Sequence, residues 1–221
     1  MKGFKSFLSV YPTSYKIFLY IVYPLVIMAA MFISIILNGA EAGKQITTVL
    51  MIMPGALGIS VFMSGELFSN GNSFAKKYPF GTLILTSPKW EEYVTDYIIW
   101  DVLLKILVIP VAYILPHLIM MFAGAPGALP LNAAGAGIVV SAGSILGMFV
   151  LRKITYPVLV SLWMIGVIYI VVIGIVPFGV VFAPVQLKIL SASISVIIAA
   201  VFGILSVGSM RKHIRRDFYE K

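Results

Sequence analysis

Apolar residues fill this chain in long blocks, and polar residues are confined to the intervals between them. Six blocks reach the length needed to cross a hydrocarbon core, roughly 20 residues: 17–37, 46–68, 98–122, 131–151, 154–176 and 187–210. The first 16 residues follow a different pattern. Phe4, Phe7, Leu8 and Tyr11 recur at i, i+3, i+4 and i+7 among Lys2, Lys5, Ser6 and Ser9. That stripe predicts a short helix lying in the membrane interface, kept short by Pro12. Ala40-Glu41-Ala42 looks like a signal-peptidase site. The block before it is too long for a signal peptide, and five more follow, so it is read as a retained span.

Small residues mark where helices should meet. Ala56, Ser60 and Ser64 form a row on the second block, which Pro54-Gly55 should kink. The fourth block carries Ala133, Gly137 and Ser141 on one face and Gly143 and Gly147 on another. Small faces let backbones approach in lipid, so this helix is expected to be the most enclosed. Pro110 and Pro116 lie inside the third block. Residues 177–186 form an apolar connection before the last block, either re-entrant or a plain loop.

The longest polar interval, 69–97, has internal order. Gly81-Thr82 reads as a helix start, with the Thr82 hydroxyl as cap. Leu83, Ile84 and Leu85 make the following turn too apolar for a free loop, and Thr86 closes it. Ser87 then caps a second helix with Pro88 at its first position, and Glu91 and Glu92 fall where the helix dipole favours anions. A short helix with an apolar face, held outside the membrane, is suited to being gripped by another protein.

Composition agrees with the pattern. Of the 221 residues, 61% are hydrophobic and 11% charged, and the mean hydropathy is +1.06; these are values of an integral membrane protein. Cysteine is absent, which removes disulfides and thiolate chemistry. The net charge of +8 sits beside the ends of the apolar blocks, so it speaks for membrane topology and against nucleic acid. Of 16 Lys and Arg residues, all but Lys44, Lys105 and Lys188 lie on one side of a six-span arrangement. The positive-inside rule then puts both termini and the 69–97 interval in the cytoplasm of a multi-pass cell-membrane protein.

Catalytic signatures are missing from the chain: there is no zinc-binding His-Glu-x-x-His, no dinucleotide fingerprint and no phosphate loop. No catalytic residue, metal or cofactor is therefore expected. His117 and His213 are the two histidines. A lone histidine in a span is ordinarily a packed or hydrogen-bonded residue. Glu66, Asp101 and Lys105 are charges within the apolar blocks. Asp101 and Lys105, spaced i, i+4, can pair on one helix face. They line a substrate cavity or, the reading favoured here, form a local pair near the headgroups. Spans four to six offer no acidic residue at mid-membrane, which argues against ion coupling and for energy from a partner.

The segment 81–101, Gly81-Thr82-Leu83-Ile84-Leu85-Thr86-Ser87-Pro88 followed by a charged helix start, resembles the cytoplasmic loop of ABC-2 type transporter permeases. Ile84 stands where an acidic residue is usual, and Lys76-Lys77 replace a common Arg/Glu pair. The resemblance implies an all-α, six-span permease of the type V exporter-like kind, with an N-terminal interfacial helix and a cytoplasmic coupling helix. Gly81, Thr82, Leu83, Ile84, Leu85, Thr86, Ser87 and Pro88 would form that coupling segment and dock on a separate ABC ATPase subunit holding ATP and Mg. A second permease copy or a paralogue would complete the path. The small size resembles exporters of hydrophobic or amphipathic cargo, including phenol-soluble modulin and bacteriocin peptides. Two rivals are the substrate-binding membrane subunit of a vitamin importer and a CAAX-type membrane protease. The first has an Ala-x-x-x-Ala pair where this chain has Ala29-Ala30; the second has Glu-Glu-x-x-x-Arg, and counted from Glu91-Glu92 the Arg position holds Asp96, after Thr95.

Overall fold

The structure, a computed structural model, describes residues 17–39, 88–153 and 184–218. The expected spans 46–68 and 154–176, the interfacial stretch 1–16, Glu66 and Gly81 to Ser87 lie outside the described residues. Those described form four helices with no strand among them. Helix α1 is Tyr23–Gly39, preceded by one π-helical turn, Phe18–Val22; α2 is Trp90–Phe122, α3 Pro130–Lys153 and α4 Val185–Phe218. All four are long and apolar enough to cross a membrane.

Proline explains the π turn. Pro24 has no N–H, and its ring would press on the carbonyl four residues earlier, at Tyr20. Widening the turn, so that the Tyr23 N–H donates to the Phe18 carbonyl, makes room for it. Beyond it, Tyr23, Ile27, Met31, Ser34 and Ile35 are buried on one stripe while Leu25, Val26, Ile33 and Ile36 face outward. An outward face this apolar is stable only against lipid.

Helix α2 departs from its expected bounds. Its 33 residues span about 50 Å, against a hydrocarbon core of ~30 Å. One helix runs from the end of the polar interval 69–97 into the block that starts at Ile98, with no break between them. It does not begin at Pro88. Pro88 and Lys89 form a turn, Lys89 is the N-cap without a side-chain hydrogen bond, and its carbonyl accepts the N–H groups of Glu92 and Tyr93. Glu91 and Glu92 do occupy the first turn. At its far end α2 closes with Gly124 at φ 77°, where L side chains are strained. The Gly124 N–H donates to the Met121 carbonyl and the Ala125 N–H to that of Met120, which satisfies the last carbonyls of the helix.

Helix α3 is the centre of the described bundle, packed against both α2 and α4; α2 also touches α1 and α4. Its apolar stretch is 67% buried, against 33% for α1 and α2 and 22% for α4. Small residues account for this. A Cβ on Gly137 would come within 2.8 Å of the Pro110 Cα, so α3 lies directly on the α2 backbone. Helix α4 continues through Phe218, past the expected span end at Met210.

Side-chain contacts fix the directions. Leu129, leading into α3, meets His117 late in α2; Asn132 early in α3 meets Lys188 early in α4; Arg211 late in α4 meets Thr95 early in α2. Helices α3 and α4 are therefore parallel to each other and antiparallel to α2. Lys153 and Pro184 consequently lie at opposite ends of the bundle.

Candidate functional site

Asp101 and Lys105 are one turn apart on α2 and form a salt bridge, both almost wholly buried. The Lys105 carbonyl accepts the Ser141 hydroxyl at 3.1 Å. Ser141 is at the middle of α3, whose 24 residues span about 36 Å. Helical side chains lean toward the N-terminus, so the Lys105 ammonium and Asp101 carboxylate lie within about one turn of that level. The pair thus sits at the level of the middle of α3. That level could not be read from α2 alone, whose 33 residues are longer than a hydrocarbon core requires.

The surroundings are apolar. Ala142, Ile145 and Ala199 form a buried cluster with Val102, Ile198 and Phe202 packed on it. Gly203 brings α4 close, since a Cβ there would lie 3.2 Å from the Val102 side chain. Three helices therefore converge beside one compensated pair of charges. Such a pair is far less costly in lipid than either charge alone, and removing one partner leaves the other stranded. Chemically the arrangement offers a polar point inside the bundle, held between helices that approach closely on small residues.

No protein-family model, curated protein or solved structure matches this chain.

Of the other expected site residues, Pro88 is described, exposed in the turn that precedes α2. Its distance along α2 from the ion pair is a little over three turns of unbroken helix. That end of α2 is tied down. The Thr95 hydroxyl donates to the Glu91 carbonyl at 2.6 Å and accepts from Arg211, through Nε at 2.9 Å and also through Nη2. Nothing in the sequence pairs these two residues, which are 116 positions apart.

His117 has a structural place. Its Nδ1 accepts the Leu129 N–H at 3.0 Å, one of the donors that the start of a helix leaves without a partner. Nε2 is buried and has no hydrogen-bond partner among the described residues. With Nδ1 accepting, the proton of the neutral ring resides on Nε2. Among the described residues no three His, Asp or Glu side chains gather into a metal site.

Proposed function

We propose that this chain is the membrane-spanning subunit of an ATP-driven transporter of the ABC-2 kind, with ATP hydrolysed by a separate polypeptide. The observation that carries the reading is the continuity of α2. The segment that resembles a coupling helix ends at Pro88, and two residues later begins a single helix that reaches the buried Asp101–Lys105 pair. From Trp90 onward a displacement of that end of α2 is carried along one helix to the buried ion pair. The cargo class is a hydrophobic or amphipathic molecule such as a peptide, lipid or drug-like compound. Both termini are placed in the cytoplasm by the distribution of Lys and Arg. A second copy or a paralogue completes the pathway.

The test is co-purification with the ATPase subunit encoded beside it, comparing wild type with a Leu83→Asp/Leu85→Asp double variant. A stable complex that the charged pair abolishes, while the variant still inserts in the membrane, supports docking at 81–88. An unchanged complex, or none with wild type, removes the reading.

A second reading follows from the burial of Asp101 within the helix bundle. An acidic residue enclosed by spanning helices is what a proton- or sodium-coupled carrier needs. Substrate uptake or efflux driven by an imposed ion gradient in vesicles holding this chain alone, and abolished by Asp101→Asn, would favour it over ATP-driven export.

A further inference from the structure

Between α3 and α4, at the end where Pro130 and Val185 begin their helices, lies a groove of about 440 Å³. Its floor is made of small residues, Ala134, Gly135 and Ala192, and its walls are aliphatic. Ser193 also lines it, but its hydroxyl donates to the Ile189 carbonyl at 2.9 Å and so is already engaged. The groove follows α4 from Lys188 to Ile197, about 14 Å of helix, close to half of a ~30 Å hydrocarbon core. It is the depth of one leaflet.

Lys188 stands at the headgroup end. Its Nζ donates to the Asn132 Oδ1 at 2.6 Å, and Asn132 is itself buried. An ammonium has three donors, and this partner is neutral. The described carboxylates lie elsewhere: Glu91, Glu92 and Asp96 in the first turns of α2, and Asp101 paired with Lys105. Among the described residues, then, Lys188 is a cation held in place without a counter-ion at the mouth of an apolar slot. Pockets of roughly 300–1,000 Å³ are the size that holds small ligands, and basic positions between transmembrane helices attract anionic headgroups.

We propose that this groove binds a single phospholipid, an acyl chain lying over Ala134, Gly135 and Ala192 and an anionic phosphate headgroup resting on Lys188. The phosphate supplies the charge that Asn132 lacks. The small floor lets the chain sit closer to the bundle than ordinary surrounding lipid does. This inference is independent of ATP-driven export, because lipid retention is read without an ATPase or a cargo.

The experiment uses the full-length chain, delipidated in detergent and titrated with phosphatidylglycerol or phosphatidylcholine of matched chain length, with native mass spectrometry as readout. One phosphatidylglycerol should be retained in preference to phosphatidylcholine. Lys188→Gln should reduce that preference about fivefold, the size of effect one lysine has at an anionic surface, and Lys188→Arg should preserve it. Ala192→Phe should lower retention of both lipids. Equal retention of the two lipids by wild type, or an unchanged preference in Lys188→Gln, overturns the proposal in favour of unspecific surrounding lipid. Wild type found as a dimer that Ala192→Phe dissociates, with lipid retention unaltered, also overturns it and assigns the groove to a second copy.

Discussion

Arg211, late in α4, donates through Nε to the Thr95 hydroxyl oxygen at 2.9 Å and so ties the end of one helix to the start of another. Thr95 in turn donates to the Glu91 carbonyl. The hydroxyl thus serves as a junction between the first turn of α2 and the basic tail. Thr95→Val keeps the shape and removes both bonds; Arg211→Ala removes only one partner. Each should lower stability by about 1.5 kcal/mol, the usual size for a hydrogen bond to a charged group. A double-mutant cycle by denaturant titration in detergent should give strongly non-additive losses. Additive losses would mean the two residues are not coupled.

The Asp101–Lys105 pair predicts an asymmetric response. Asp101→Asn or Lys105→Met alone strands a charge at mid-bundle and should lower stability by about 3–5 kcal/mol. The double variant should recover most of that loss, because two neutral side chains leave no uncompensated charge. Unfolding titrations of the three proteins decide it; a double variant worse than either single one would contradict the pairing.

Close packing at Gly137 predicts intolerance of a single methyl group. Gly137→Ala drives a Cβ into the Pro110 backbone, which cannot swing away as a flexible side chain could. A loss of about 1–3 kcal/mol is expected. Gly208→Ala is the control, since nothing lies within 4 Å of a Cβ there, and it should be neutral or slightly stabilising through helix propensity. Similar thermal shifts for both would show that α2 and α3 are not in such close contact.

The α2–α3 turn predicts a separable pair of effects. Gly124→Ala places a side chain on a backbone with φ 77° and should lower stability by about 1 kcal/mol, with open space around it. His117→Ala removes the acceptor of the Leu129 N–H and leaves a gap, for about 2 kcal/mol or more. Hydrogen exchange at Leu129 should rise in the His117 variant and change much less in the Gly124 variant. Equal protection in both would deny His117 its role.

Much of the architecture was legible in the chain. The first, third, fourth and sixth apolar blocks coincide with α1 to α4, because a membrane demands long apolar stretches and leaves no other way to satisfy the backbone. Ala133, Gly137 and Ser141 predicted close approach, and the structure buries all three against α2 or within the bundle. The i, i+4 spacing of Asp101 and Lys105 also foretold their pairing. Helix starts were less legible. Ser87-Pro88 carries a cap signal, yet the helix begins at Trp90, whose burial anchors the first turn inside the bundle. The polar residues 90–97 continue into the apolar part of α2 without a break, because polarity marks the membrane's edge and a helix can run through it.

By itself the sequence determined that this is an all-helical membrane protein, and it located the small-residue face on which α3 packs. Those properties follow from hydropathy and side-chain size, which are local. Tertiary structure alone decided the depth of the ion pair, the Thr95–Arg211 tie, the His117–Leu129 bond and the groove headed by Lys188. The ion pair itself lies within α2, but its level in the bundle, like the contacts between separate elements, depends on how the helices dock, a quantity that no stretch of one helix encodes.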